Sequence, residues 1–336
     1  MNDHSVVFEN PSAGVSLSGT LTFPGTGAPC PAVILVHGQG PLDRDMSFAH
    51  LKPFKTLAEH LAANGIASLR YDKRGVGESG GDFASATRED LAGDVSAALR
   101  FLNRHEGIIP GRIGLLGQSE GAVVAPMVAS TSDDVAFVVL LAGPAVSGRE
   151  NLSLSFAMFA QASPSNDLGV PDLKRLLDRL LDLVSLESPS PEDQAAAMQL
   201  AESVAPHVIN EKTKMVLGGA DVTAEQFIGL LSSPCLQETI ESAPETYLSR
   251  LTCPVLGLFA DKDKHVPASE NMAAMKRSLG AAGNCHYTVE KITGSNHLFQ
   301  RCETGYPDEY STIDHDISPD VLDKVSGWIA GIVRRE

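Results

Sequence analysis

The segment RIGLLGQSEGAVVAPMVAS, residues 112–130, places a serine between an apolar run and a run of small and apolar residues. The first run has the composition of a buried strand, and the second that of a helix. Between them, GQSEG at 117–121 matches G-x-S-x-G, a pattern that holds a serine on a sharp strand-to-helix turn. Glycine and serine are also common in flexible turns. The strand before and the helix after favour the sharp turn and predict Ser119 as a nucleophile.

Outward from this turn, short apolar runs alternate with helical patterns, which is typical of a mostly parallel central sheet flanked by helices. The runs rich in Val, Ile, Leu and Ala are CPAVILVHG at 30–38, GIASLRYD at 65–72, VAFVVLLAG at 135–143 and CPVLGLFAD at 253–261. HYTVEKITG at 286–294 adds a further strand, and GVSLSGTLTFP at 14–24 alternates like an antiparallel edge hairpin. Helical spacing marks 51–65, 88–105 and 319–333. We therefore predict an α/β fold.

The strand pattern stops near Gly143 and resumes only at Cys253. A gap of roughly a hundred residues is too long for a loop in a compact domain. Within it, PDLKRLLDRLLDLVSL at 171–186 carries its leucines on one helical face. We predict a core formed by residues 1–146 and 251–336, with a helical cap inserted at 147–250.

Charge and composition exclude several classes of function. The chain has 26 Lys and Arg against 42 Asp and Glu, a net charge of −16, which argues against a nucleic-acid partner. No basic leader with an apolar stretch precedes the first strand, and no window reaches the apolar length of a membrane span. We expect a cytoplasmic protein without a membrane partner. The five cysteines are scattered singly and indicate neither disulfides nor a metal site.

The base that would activate Ser119 should follow a late strand, because in this fold the order along the chain is Ser, Asp or Glu, His. The histidines late enough to qualify are His265, His286, His297 and His315. His297 lies in ITGSNHLFQ, directly after the last predicted strand, whereas His286 begins that strand and His315 lies in an acidic segment. We therefore predict His297 as the general base. A Cys302–His297 dyad is the less favoured alternative.

The carboxylate that orients the base should follow CPVLGLFA, where Asp261 and Asp263 compete. Asp263 is preferred, because Val266 and Pro267 and the helical pattern after them would fold the turn back toward the base. Asp261 fits better as a capping or surface charge. An oxyanion hole needs two backbone N–H groups, and these are expected from Glu120, after the serine, and Gln39, in the HGQG loop.

The blocks HGQGPLDRD, KPFKTLAEHLAANGIASLRYDKRGVGES, GQSEGAVVAPMVA, ADKDKHVPASEN and GSNHLFQ resemble bacterial α/β-hydrolases of the EstD-like carboxylesterase type. Prolyl-oligopeptidase and dienelactone-hydrolase groups are similar more distantly. The resemblance implies an α/β-hydrolase fold, the Ser119, Asp263 and His297 triad and an esterase that prefers short acyl chains. Ala260 departs from the pattern, which often has glycine there.

The sequence thus predicts a serine hydrolase that acts on a small-molecule ester or acyl substrate and needs neither metal nor other cofactor. Phe156, Met158 and Phe159 are the candidates for an acyl pocket, although such residues also pack a cap onto a sheet. Glu120 could contact substrate, or it could be a surface or cap-bonded carboxylate. Thioesterase, lactonase, peptidase, acyltransferase and cyclase activities remain open, as does a homodimer. A non-catalytic binding protein is disfavoured by the complete triad.

Overall fold

A computed structural model of the chain describes residues 1–25, 27–163, 166–214 and 222–334. The strands are β1 (Asn2–Asn10), β2 (Val15–Phe23), β3 (Cys30–Val36), β4 (Ala67–Tyr71), β5 (Ile108–Gln118), β6 (Phe137–Leu141), β7 (Val255–Ala260) and β8 (Tyr287–Ile292). The helices of the two flanking layers are α1 (Pro53–Ala63), α2 (Arg88–Asn103), α3 (Gly121–Ala129), α11 (Ala268–Ala281) and α12 (Pro319–Val333). A 3-10 turn spans Pro307–Thr312.

The strands form one sheet in the order β1-β2-β4-β3-β5-β6-β7-β8. β1 pairs with β2, and β2 with β4, in antiparallel fashion, and every later pair is parallel. This confirms the predicted α/β class. The prediction for residues 14–24 was wrong in detail: they form one strand, and residues 2–10 form the other arm of the hairpin. β1 is mostly exposed, so its sequence carries little of the apolar alternation that marks a half-buried strand.

Both faces of the sheet are buried, which explains the near-continuous apolar strands. In β3, Ile34 and Val36 belong to the apolar core beneath α2, α3 and α11, and Val33 and Leu35 to the core beneath α1 and α12. The period of two along a strand thus divides its side chains between two layers. Because the central strands are packed on both sides, the loops at their carboxyl ends start from fixed positions.

Seven helices lie between β6 and β7 in the part of the chain that the structure describes. They are α4 (Gly148–Ala160), α5 (Val170–Val184), α6 (Pro191–Val208), α7 (Glu211–Lys214), α8 (Ala224–Leu231), α9 (Pro234–Glu241) and α10 (Glu245–Leu248). Five of them, α4, α5, α6, α8 and α9, contribute to a separate apolar core that includes Leu173, Leu177 and Leu181 of α5, the face expected from the leucine spacing. Helix α6 begins within SPSPEDQ, residues 188–194, where Ser190 and Asp193 form a capping box. Among the described residues no helix is long and apolar enough to cross a membrane.

A buried ion pair ties the loop after β4 to α2. Asp94 accepts hydrogen bonds from Nε and Nη2 of Arg74, each at 2.8 Å, and from the Asn10 amide at 2.8 Å. The Asp94 side chain is 1% exposed and that of Arg74 is 7% exposed. Removing Asp94 would leave the buried Arg74 with one carboxylate, that of the more exposed Asp90, 2.9 Å from its Nη1, and removing Arg74 would leave the Asp94 charge buried and uncompensated.

We expect Asp94→Ala to lower the free energy of unfolding by about 3–5 kcal/mol in urea titrations, since Arg74 would lose its bidentate partner. The control is Glu59→Ala, which removes an exposed i,i+4 pair with Lys55 and should cost less than about 0.5 kcal/mol. Equal losses in the two variants would contradict a structural role for the buried pair.

Candidate active site

Ser119 occupies the turn between β5, which ends at Gln118, and α3, which begins at Gly121. Its φ of 54° lies in the left-handed region, which costs a non-glycine residue free energy and persists only when the surroundings enforce it. The Ser119 amide donates to the Leu141 carbonyl at 2.9 Å. A Cβ on Gly121 would lie 2.0 Å from the Val36 carbonyl oxygen, so only glycine allows α3 to start this close to β3. The turn therefore presents the serine at the carboxyl edge of the sheet.

Asp263 and His297 form a buried pair after β7 and β8. His297 Nδ1 lies 2.7 Å from Asp263 Oδ2, and the Asp263 side chain is fully buried. Oδ1 of the same carboxylate accepts the amide N–H groups of His265 at 2.8 Å and Val266 at 3.0 Å. These two bonds fix the carboxylate, so its second oxygen faces the imidazole and Nε2 is the ring nitrogen left free to accept a proton.

Asp261 has a different position from Asp263. Its Oδ1 accepts the amide N–H groups of Gly294 at 2.7 Å and Ser295 at 3.3 Å, which ties the end of β7 to the loop that carries His297. The structure thus pairs Asp263 with His297 and gives Asp261 a bracing contact with the loop backbone.

The His297 loop is held against the serine turn. The Gln118 side-chain amide, one residue before Ser119, lies 3.5 Å from the His297 carbonyl oxygen. The Asn296 side chain accepts the amides of Leu298 and Gln300, each at 3.0 Å. His297 is 8% exposed, and its side chain 10%, so its ring is largely buried and held in place.

The other late histidines have other surroundings. His286 is exposed at the start of β8, and His315 Nε2 accepts the Arg301 amide at 3.2 Å. The His265 ring lies against that of His297, tilted by 43° and with ring centroids 4.8 Å apart. The Cys302 thiol points to the Gly294 carbonyl, and burial raises its pKa to about 11, which is unfavourable for a thiolate nucleophile.

The HGQG loop after β3 runs beside the serine. A Cβ on Gly38 would lie 3.4 Å from Ser119 Cβ, which brings the Gly38–Gln39 peptide next to the nucleophile. The Gln39 side chain donates to Cys235 Sγ of α9 at 3.3 Å. Glu120 points inward, with its oxygens 3.4 Å from Lys73 Nζ and 3.4 Å from Arg88 Nε. Its carboxylate is therefore paired within the protein and does not extend from the surface.

Two adjoining cavities open beside Ser119. The smaller one, about 140 Å³, has Ser119 and His265 in its wall. The larger, about 810 Å³, extends between the loop after β4 and helices α9 and α10. They share five lining residues, which are Gln39, Arg88, Glu120, Val123 and Ser242. A ligand at the serine would therefore meet polar groups as well as apolar walls.

The three residues expected at an acyl pocket lie elsewhere, since neither cavity has them in its wall. Phe156 packs edge-on against Phe227 in the core of the inserted helices. Phe159 is buried, and its ring centroid lies 5.0 Å from that of His265. The Met158 carbonyl accepts a hydrogen bond from the Tyr306 hydroxyl at 3.3 Å. From the same helix, α4, it is Leu152 and Ser155 that line the smaller cavity. The helical period explains this difference, because it directs the side chains of Leu152 and Ser155 to the cleft and that of Phe156 to the core of the inserted helices.

Lys73 and Arg88 were not singled out from the sequence, and His265 was named only among the histidines that could serve as the base. Lys73 and His265 follow strand ends, which is a usable signal, but other polar residues do the same. Arg88 follows the Thr87 N-cap of α2 and reaches the cleft through contacts with α9, including its Nη1 on the Glu238 carbonyl at 2.9 Å. Only the folded arrangement shows that contact.

In the described ranges, no group of three or more His, Cys, Asp or Glu side chains is arranged to hold a metal ion.

A mostly parallel eight-stranded sheet with a strained serine after β5 and an acid–base pair after β7 and β8 defines an α/β hydrolase. Within that class the chain belongs to the serine aminopeptidase S33 family, whose sequence pattern it matches over residues 27–299. Both findings confirm the fold and family drawn from the sequence blocks.

Known relatives agree with this assignment. The chain is 26% identical over 314 residues to Esterase EstD of Thermotoga maritima, an alignment that covers 93% of this chain and 65% of EstD. The α/β hydrolase GrgF from Penicillium sp. sh18 matches 99% of both chains, with a TM-score of 0.59 and 16% identity. Pyrococcus furiosus esterase Pf2001 matches 99% of this chain and 91% of its own, with a TM-score of 0.59 and 15% identity. At such identities the two structures establish the fold alone.

Two histidines, the buried His37 and the half-buried His265, give the fold an acid sensitivity. Burial lowers the pKa of His265 to about 3, and the neighbouring His297 contributes to the shift. Burial, with a contribution from Lys73, also lowers the pKa of His37 to about 3. Both rings stay neutral in the folded protein at pH 5, whereas the same histidines become protonated in the unfolded chain below about pH 6.5. Stability is therefore lost as pH falls from 6.5 toward 3.

For His265→Gln, we expect the loss of unfolding free energy between pH 7 and pH 5 to shrink by about 2 kcal/mol relative to wild type. Urea titrations at the two pH values measure it, and the difference removes any constant cost of the substitution. His286→Gln, at an exposed position, should leave the pH dependence unchanged. The same pH dependence in His265→Gln and wild type would show that His265 titrates normally.

Proposed function

We propose that this protein is a serine hydrolase that cleaves carboxylic esters through an acyl-enzyme intermediate, with Ser119 as nucleophile, His297 as general base and Asp263 as the orienting carboxylate. The observation that carries the proposal is the 2.7 Å contact between His297 and Asp263, together with the Gln118 side chain that joins the His297 loop to the turn of Ser119, a serine in the left-handed region. Such a serine, a base and an orienting acid are the parts that acyl transfer requires.

In the first half of the reaction, His297 Nε2 accepts the Ser119 hydroxyl proton while Oγ attacks the ester carbonyl carbon. Asp263 holds the Nδ1–H tautomer and stabilises the imidazolium that forms. The tetrahedral oxyanion is bound by the amide N–H groups of Gln39 and Glu120, each worth roughly 3 kcal/mol in comparable sites. Collapse breaks the bond to the alcohol oxygen, which leaves with the proton from His297.

In the second half, His297 removes a proton from water, and the resulting oxygen nucleophile attacks the acyl-enzyme carbonyl. Collapse of the second tetrahedral intermediate breaks its bond to Ser119 Oγ and releases the carboxylic acid. His297 returns the proton to Ser119 Oγ. The cycle requires no metal or organic cofactor. Residues 147–250 act as the cap, since α4 lines the smaller cavity, α10 lines the larger one and α9 lines both.

The small volume of the cavity next to Ser119 favours a short acyl group. The name of the relative EstD, an esterase, favours ester substrates over amides. A serine aminopeptidase would need a carboxylate free to receive the substrate's terminal ammonium. Among the described residues that line the smaller cavity, Glu120 is the one acidic group, and Lys73 and Arg88 already pair with it, whereas Glu89, Glu238 and Glu241 line the larger cavity. The pairing therefore argues for esters over N-terminal peptides in the cavity next to Ser119.

Ser119→Ala should abolish hydrolysis of p-nitrophenyl acetate and butyrate, with a loss of at least about 10⁴-fold in kcat. The wild type should act on these esters faster than on p-nitrophenyl palmitate and on aminoacyl p-nitroanilides, with thermal unfolding checked for each variant. No ester turnover by the folded wild type would refute the proposal, and faster anilide cleavage would favour a peptidase.

The roles of the two aspartates are separable by matched amide substitutions. Asp263→Asn should lower kcat by roughly 10³–10⁴-fold, because His297 would lose the partner that fixes its tautomer. Asp261→Asn should keep kcat within a few-fold and reduce mainly stability, since its contacts are two backbone amides. A larger kcat loss for Asp261→Asn would reverse the assignment.

A further inference from the structure

Lys73 is a buried lysine close to the proposed reaction centre. It lies two residues beyond β4, which ends at Tyr71, and its side chain is 4% exposed. Its Nζ donates to the Gly38 carbonyl oxygen at 2.6 Å, lies 3.4 Å from Glu120 Oε2 and sits 5.1 Å from the Phe83 ring centroid. Burying an ammonium is costly, so a structure that keeps one needs a compensating use or partner.

The two polar partners of Lys73 belong to the segments that carry the proposed oxyanion donors: Gly38 precedes Gln39, and Glu120 is itself the second donor. The Gly38 carbonyl and the Gln39 N–H belong to one planar peptide unit, so a bond to the carbonyl fixes the direction of that N–H. Glu120 provides the second N–H, and its carboxylate is held by the same ammonium. One side chain thus contacts both donor-bearing segments, one from the loop after β3 and one from the start of α3.

We propose that Lys73 is the positioning residue of the oxyanion hole, aligning and polarising the Gln39 N–H through the Gly38 carbonyl and anchoring Glu120 beside it. The inference rests on the proposed function. It predicts an effect that appears when charge develops on the substrate oxygen and is absent while the ester is only bound.

The physical basis is hydrogen-bond cooperativity together with charge. A cation on the carbonyl of a peptide strengthens the N–H of the same peptide as a donor. Burial lowers the pKa of Lys73, and the Glu120 carboxylate opposes that shift and favours the ammonium form. If Lys73 formed only a structural ion pair, its loss would reduce the stability of the protein. It would then affect the bound ester and the transition state equally.

The test compares Lys73→Met with wild type, using p-nitrophenyl acetate as substrate and phenylboronic acid as a probe that forms a tetrahedral adduct with the serine. We expect kcat to fall by about 10–100-fold with KM within about twofold, because the donor is weakened and not removed. The inhibition constant of the boronic acid should rise by a similar factor. Lys52→Met is the matched control, because Lys52 forms an exposed pair with Asp45 and should change neither quantity.

Unchanged kcat and boronic acid affinity in folded Lys73→Met would overturn the inference, as would a rise in KM that alone accounts for the loss of activity. If Lys73→Met fails to fold, Lys73→Gln and Lys73→Arg replace it. Gln keeps a donor without charge and should be impaired, while Arg keeps the charge and should recover part of both kcat and boronic acid affinity. Equal values for Gln and Arg, both matching wild type, would refute the role. A wild type that neither hydrolyses the ester nor binds the probe would refute the proposed function itself.

Discussion

The left-handed backbone at Ser119 is the constraint around which the cleft is organised. It persists because close packing leaves no alternative: β5 runs between β3 and β6, and Gly121 starts α3 against the Val36 carbonyl. A flexible loop would relax such a residue to an ordinary conformation. Helical layers bury the central strands on both faces. The Ser119 hydroxyl is therefore held in a fixed direction at the wall of the smaller cavity.

The remaining groups of the proposed site lie on loops at the same edge of the sheet as that hydroxyl, because parallel strands end at one edge. The loop after β3 brings Gln39, the loop after β7 brings Asp263, and the loop after β8 brings His297. Lys73, beyond β4, connects the first of these loops to α3. The inserted helices complete the cleft from outside, so the core supplies the chemistry that we propose and the insertion supplies much of the wall that meets a substrate.

The sequence predicted those parts that local pattern encodes. Continuous apolar runs marked the central strands, GQSEG marked the turn, and strand-end positions marked Asp263 and His297 as candidates. Features that depend on contacts between distant segments were missed. β1 was missed because an exposed edge strand needs few apolar residues, and Phe156 turned to the helical core because helix rotation is set by packing. Lys73 looked like an ordinary loop lysine, and only the fold places it against Gly38.

The central claim is that Ser119 is a uniquely activated hydroxyl. Treating the protein with a fluorophosphonate and mapping the modified peptide by mass spectrometry tests it without knowledge of the substrate. The account predicts one adduct per chain, on Ser119, formed at a much lower rate in His297→Ala and absent in Ser119→Ala. Labelling at another residue, or an unmodified Ser119 in folded wild-type protein, would contradict it.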